Sequence, residues 1–132
     1  MTDVLVRSLD DISDIRAAAA LWSEVWRRAG EPPVSGDLLR AMSHAGNYLS
    51  GAYLDGRMVG ALFGFYGGTD RPDHLHSHIL GVEPSARTRG IGNQLKLHQR
   101  EWALEHGIER VTWTYDPLVR ARALERAKAG GY

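Results

Sequence analysis

The sequence predicts one α/β domain, a mixed sheet with helices on its faces, and three observations carry that prediction. Strand-like runs are interleaved with segments whose apolar residues recur at helical spacing. Asp55-Gly56 joins two of those runs and suits the positive backbone angles of a tight hairpin. A run ending at Val82 leads through a glycine-bearing turn into a long amphipathic helix. The chain has 132 residues, enough for one core and short for two, so residues 1–132 are expected to form a single domain.

The elements follow in order. Val4 to Leu9 alternates apolar and polar residues and reads as a strand. Asp10 then offers a side-chain oxygen to cap a helix whose Ile15, Ala18, Trp22 and Val25 share a face, ending near Gly30. Pro32 and Pro33 break the chain, and Ser35 caps a second short helix through Leu38, Leu39 and Met42 that stops at Gly46. Tyr48 to Leu54 and Arg57 to Tyr66 are the hairpin strands. A loop over Gly67, Gly68, Asp70 and Pro72 precedes a strand from His74 to Val82, which Pro84 closes. The next helix carries Ile91, Leu95, His98 and Trp102 on one face, with Lys96, Arg100 and Glu101 placed elsewhere, until Gly107 ends it. Arg110 to Thr114 is a further strand, and Leu118 to Lys128 a final helix rich in alanine and arginine.

Composition removes several function classes. Sixteen basic and sixteen acidic residues cancel, which leaves no electrostatic case for nucleic acid or an anionic membrane as partner. The absence of cysteine excludes disulfides, thiolate metal sites and a cysteine nucleophile. Asp3, Asp10, Asp11 and Asp14 interrupt the first twenty residues, which do not read as a signal peptide, and no stretch approaches the ~20 apolar residues of a membrane span. A cytoplasmic location is the default expectation. Trp22 and Trp26 on the first helix and Trp102 on the third are expected in the core, where aromatic residues usually serve packing. Arg120, Arg122, Arg126 and Lys128 make the last helix basic, read as a solvated face.

The most informative stretch is Pro84-Ser85-Ala86-Arg87-Thr88-Arg89-Gly90-Ile91-Gly92. A helix start presents backbone N–H groups without intrahelical partners and a partial positive charge, so it can hold a phosphate. Gly90 and Gly92 allow close approach of oxygen atoms, and Arg87 and Arg89 add guanidinium groups suited to a pyrophosphate or 3′-phosphate. A dinucleotide fingerprint would need a small residue where Leu95 stands and an acidic residue ending the next strand, whereas Glu109 precedes it. A nucleoside triphosphate loop would need Gly-Lys-Ser or Gly-Lys-Thr, which is absent.

Val82-x-Pro84-x-x-Arg87-x-x-Gly90-x-Gly92 resembles the acyl-CoA pyrophosphate motif of the GNAT (GCN5-related N-acetyltransferase) superfamily. Leu75-His76-Ser77-His78, Gln99-Arg100-Glu101-Trp102-Ala103 and Trp113-Thr114-Tyr115-Asp116-Pro117-Leu118 resemble a bacterial subgroup of predicted acetyltransferases. The resemblance implies a GNAT-like mixed central sheet flanked by helices, with acetyl-CoA as acyl donor and an amine, on a small molecule or a peptide, as acceptor. By position it assigns Arg87, Thr88, Arg89, Gly90, Ile91 and Gly92 to the pyrophosphate, and the strand edge at Leu80, Gly81 and Val82 to the pantetheine arm.

His74, His76 and His78 alternate along one predicted strand, so their side chains are expected on one face at spacings of roughly 7 Å. Three readings stand side by side: a general base, a metal site helped by the adjacent Asp73, or a satisfied polar strand face. The superfamily often places its base on this strand, which implies His78 first and His76 second. Two departures from the family pattern are expected. Leu124 or Ala127 falls where the usual general-acid tyrosine of the last helix would be, with Arg122 in place of its common asparagine. The family also continues for two more strands, whereas this chain stops at Gly130-Gly131-Tyr132. That shortened C-terminus would leave the edge near Val111 and Trp113 open to homodimerisation or to another partner. The alternative to an enzyme is a CoA-binding or dimerising domain without turnover.

Overall fold

In a computed structural model, residues 3–26, 34–68 and 70–113 are described. Five strands form one sheet in the order β1-β2-β3-β4-β5. They are β1 (Leu5–Ser8), β2 (Tyr48–Leu54), β3 (Arg57–Gly67), β4 (His74–Val82) and β5 (Val111–Thr112). The first four pair antiparallel, and β5 pairs parallel to β4. Helices α1 (Ile12–Trp26) and α2 (Gly36–His44) cover one face, and α3 (Ile91–Glu105) the other. This is the mixed, helix-flanked sheet that the GNAT resemblance implies. The expected helix over 118–128 lies outside the described residues, as do Tyr115, Arg122, Leu124 and Ala127.

Local chemistry explains the elements. The β2–β3 hairpin turns on Asp55 at φ 52° and Gly56 at φ 77°, the paired positive angles that the Asp-Gly dipeptide accommodates. Ser35 caps α2 by accepting from the Leu38 amide at 3.1 Å. The cap of α1 differs by one residue from expectation. Asp11, not Asp10, accepts from the Ser13 amide at 2.7 Å, because Asp11 directly precedes the first helical residue and only from there can a short side chain reach that amide.

Each face of the sheet has its own core. Against α1 and α2 lie Leu9, Ile15, Trp22, Leu39, Phe63 and Ile79, all buried. Trp22 is fully buried, as expected, and its Nε1 donates to the Ala61 carbonyl at 3.2 Å. The Trp26 side chain lies outside the described residues. Against α3 lie Val59, Leu62, Leu75, Ile91, Leu95 and Ile108. The remaining described tryptophan of the helices, Trp102, is only partly buried and stacks on His106 at 3.9 Å between ring centroids.

Leu75 and Ile79 sit an even number of residues apart on β4 yet belong to opposite cores. The cause is a bulge. Phe63 pairs with Ile79 and Gly64 with Ser77, which leaves His78 as an extra residue in β4. Strand parity reverses there: Leu75 and Ser77 face α3, His78 and Ile79 both lie on the α1 side, and Leu80 returns to the α3 side.

Candidate functional site

Two features of β4 converge on the site. Its pairing with β5 is confined to Leu75 with Val111 and His76 with Thr112. From Ser77 to Val82 the edge facing β5 has no strand partner among the described residues. Backbone donors and acceptors on such an edge are available to an extended ligand. The opposite edge is taken, since Leu80, Gly81 and Val82 pair with Leu62, Ala61 and Gly60 of β3.

Beyond Val82 the chain enters a 3-10 turn, Pro84–Arg89, before α3 begins at Ile91. That turn is a compact unit with Ala86 buried at its centre. Gly90 joins the two at φ 71° and ψ 21°, left-handed backbone that glycine enters without penalty. That angle is the first reason for a glycine here. The first backbone bond of α3 runs from the Gln94 amide to the Gly90 carbonyl at 3.1 Å, so the amides of Ile91, Gly92 and Asn93 have no acceptor within the helix. A Cβ on Gly90 would meet no atom within 4 Å, and one on Gly92 would meet only Leu80 Cδ2 at 3.8 Å. Neither glycine is therefore crowded by a distant part of the chain.

The charged groups around the turn divide in two. Arg87 is exposed, and its Nε donates to the Val82 carbonyl at 3.1 Å, tying the turn to the end of β4. Thr88 and Arg89 are exposed as well. Glu83 accepts from Ser85 Oγ at 2.6 Å and from Arg57 Nη1 at 2.7 Å. These bonds, that from Ser85 foremost, hold its carboxyl below the usual carboxylate range. Glu83 is thereby occupied within the turn, and Arg87 and Arg89 are exposed beside it.

On the α1 side of the bulge His76 and His78 lie with ring centroids 6.1 Å apart. Phe65 touches both, at 5.3 Å from His76 and 5.6 Å from His78. His78 is exposed; His76 is partly buried, and its Nδ1 hydrogen-bonds to Thr112 Oγ1 at 3.0 Å. Burial first, then the charges of His78, His74 and Lys96, push the His76 pKa below its usual 6.5. It is therefore neutral, and able to accept a proton, at pH 7. His74 turns to other partners, bonding to Asp73 and lying 3.4 Å from Arg110 Nη2. Among the described residues no three His, Cys, Asp or Glu side chains are grouped so as to hold a metal ion.

Lys96 is the residue that the sequence reading misplaces. Assigned to the outer part of α3 by its charge, it is only 3% exposed, and its Nζ donates to Ser77 Oγ at 2.8 Å. The buried stripe of α3 runs Ile91, Leu95, Lys96, Gln99, Ala103, whereas Leu97 and Leu104 face solvent. Spacing places Lys96 inside this stripe; residue polarity alone suggests otherwise.

Residues 12–130 match the acetyltransferase (GNAT) family. The chain belongs to that family. The fold is also similar to those of several solved structures. An aminoglycoside acetyltransferase from an uncultured soil metagenomic sample, solved with sisomicin, superimposes with a TM-score of 0.81 at 19% identity, covering 94% of this chain and 86% of that one. The aminoglycoside N-acetyltransferase AAC(6′)-Iy, solved with the bisubstrate analogue CoA-S-monomethyl-acetylneamine, gives 0.81 at 18% identity, covering 98% and 91%. A transcriptional regulator from Bacillus halodurans gives 0.72 at 23% identity, covering 98% and 93%. No match was found among curated proteins. Membership of the GNAT family makes the protein an acyl-CoA-dependent acyltransferase by class, with acetyl-CoA as donor. Among the described residues no helix is long and apolar enough to cross a membrane.

Proposed function

We propose that the protein transfers an acetyl group from acetyl-CoA to the amine of a small molecule, with donor and acceptor meeting at the β4 bulge. The observation that carries this reading is the open β4 edge from Ser77 to Val82, which has the glycine-bearing helix start at one end and the His76–His78 pair at the other. The sisomicin-bound neighbour supports a small-molecule amine as acceptor class over a peptide amine.

Acetyl-CoA supplies an activated thioester carbonyl, and the protein's residues do the rest. The amides of Ile91 and Gly92, with Arg87, Thr88, Arg89 and Gly90, hold the pyrophosphate through the helix start and two guanidinium groups. The edge at Leu80, Gly81 and Val82 bonds the pantetheine amides as an added strand would. His78, exposed at the bulge, takes the proton of the attacking amine, directly or through water. His76 lies behind it and is the second candidate, anchored by Thr112 and kept neutral by burial.

An acceptor panel of amines, followed by release of free CoA thiol, tests the reaction. Turnover with a small amine is expected, and His78→Ala is expected to lower it by about 10²-fold or more at neutral pH, the usual weight of a general base. Binding of acetyl-CoA without turnover on any amine would instead identify a CoA-binding domain. The β5 edge is proposed as a homodimer contact, checked by light scattering; a monomer at high micromolar concentration removes it.

A further inference from the structure

A buried cation occupies the point where β4 and β5 part. His76 is the last β4 residue paired with β5, and Ser77 is the first on the open edge. Lys96, 3% exposed on α3, donates its ammonium proton to Ser77 Oγ at 2.8 Å. Trp113, the residue after Thr112 at the end of β5, presents its ring 5.4 Å from Lys96 Nζ, within cation–π range. The ammonium is thus framed by both strands at the closed end of the edge. A lysine so placed is held by packing from α3 and keeps a fixed position at low solvent exposure, where a charge acts strongly on its neighbours.

We propose that Lys96 is the residue that stabilises the CoA thiolate as it departs. The inference rests on the acyl-CoA reading above and gives a role to a residue that reading does not use. An arm anchored at residues 87–92 and running down the open edge reaches its end at Ser77, five residues from Val82 and so roughly 17 Å away. There the sulfur would meet Lys96. As the amine nitrogen bonds to the acetyl carbon, the carbon–sulfur bond breaks and its electron pair leaves on sulfur. His78 takes the proton the amine gives up, and Lys96 pairs with the sulfur anion, so charge and protons balance without an external acid. His76 lies beside the same junction on the other side of the sheet, and the Lys96 charge disfavours its protonation.

The test is the ionisation of the thiol of bound CoA, followed by thiolate ultraviolet absorbance against pH in the full-length protein. Free CoA titrated in the same buffer is the reference. The bound thiol is expected to ionise at least about one unit lower, a tenfold gain in thiolate at a given pH. That shift is expected to vanish in Lys96→Met and to persist in Lys96→Arg, with desulfo-CoA binding all three proteins equally well. In turnover, Lys96→Met is expected to lower kcat about 10²-fold with little change in KM for acetyl-CoA, as loss of one charge-stabilising donor does. An unshifted or raised thiol pKa in the wild-type protein overturns the Lys96 role and needs no variant to fold. Failure of the wild-type protein to bind CoA at all overturns the acyl-CoA reading instead, so the two failures are told apart.

Discussion

Replacing Gly90 by alanine separates the cost of holding the turn from the cost of binding the donor. Gly90 sits at φ 71°, where a residue with a Cβ is penalised by about 1–2 kcal/mol. The added Cβ would meet no heavy atom within 4 Å, so backbone strain is the whole penalty. If the free protein keeps the turn, the strain appears as lost stability, a fall in Tm of roughly 3–10 °C for a chain of this size, and affinity for acetyl-CoA is unchanged. If the turn relaxes, Tm holds, but the amides of Ile91, Gly92 and Asn93 lose their arrangement. Affinity then falls by about 5–30-fold, the same 1–2 kcal/mol. The two losses add to one strain energy, because the bound state must adopt the left-handed angle in either case. Thermal unfolding and titration calorimetry on the same preparation measure both. A variant unchanged in Tm and in affinity refutes the reasoning. Gly90→Asn is expected to cost less than Gly90→Ala, since asparagine tolerates this region.

Three further outcomes are expected. Trp22→Phe removes the buried indole donor to the Ala61 carbonyl and some core volume, and should destabilise the fold by about 1–3 kcal/mol in urea titration; a loss below 0.5 kcal/mol, within the ordinary scatter of surface changes, counts against the packing described. His76 and His98 both have pKa values held below the usual 6.5, chiefly by burial. The unfolded chain therefore binds protons more readily, and stability should be full above pH ~6.5 and decline as pH falls through the folded-state values; a rise in Tm between pH 7 and pH 5 would contradict this. Arg87→Ala should weaken acetyl-CoA binding more than it weakens dephospho-pantetheine binding, measured by calorimetry; equal losses would show that Arg87 acts only through its bond to the Val82 carbonyl.

Local rules made much of the fold legible. Asp55-Gly56 fixed the hairpin because few dipeptides accept two positive φ angles in succession, and Ser35 marked its helix because a hydroxyl there reaches the Leu38 amide. The bounds of β4 at His74 and Val82 followed from the loop before and the proline after. What was not legible depends on partners distant in sequence. The bulge at His78 arises from the register between β3 and β4, and nothing within residues 74–82 announces which residue is extra. Yet it sets the faces on which His78, Ile79 and Leu80 lie. Lys96 was misplaced because charge was read as exposure, although its position three residues before Gln99 and five after Ile91 lies within the buried stripe. The turn at 84–92 was legible as a break between strand and helix, while the reason for Gly90 lay in a backbone angle.

Titration of the purified protein with acetyl-CoA, followed by calorimetry, tests the central claim most directly. Saturable binding at one site per chain in the micromolar range is expected, weakened in Arg87→Ala and in Gly92→Val, whose side chain would fill the open space before the helix start. No heat of binding at high micromolar acetyl-CoA would contradict it.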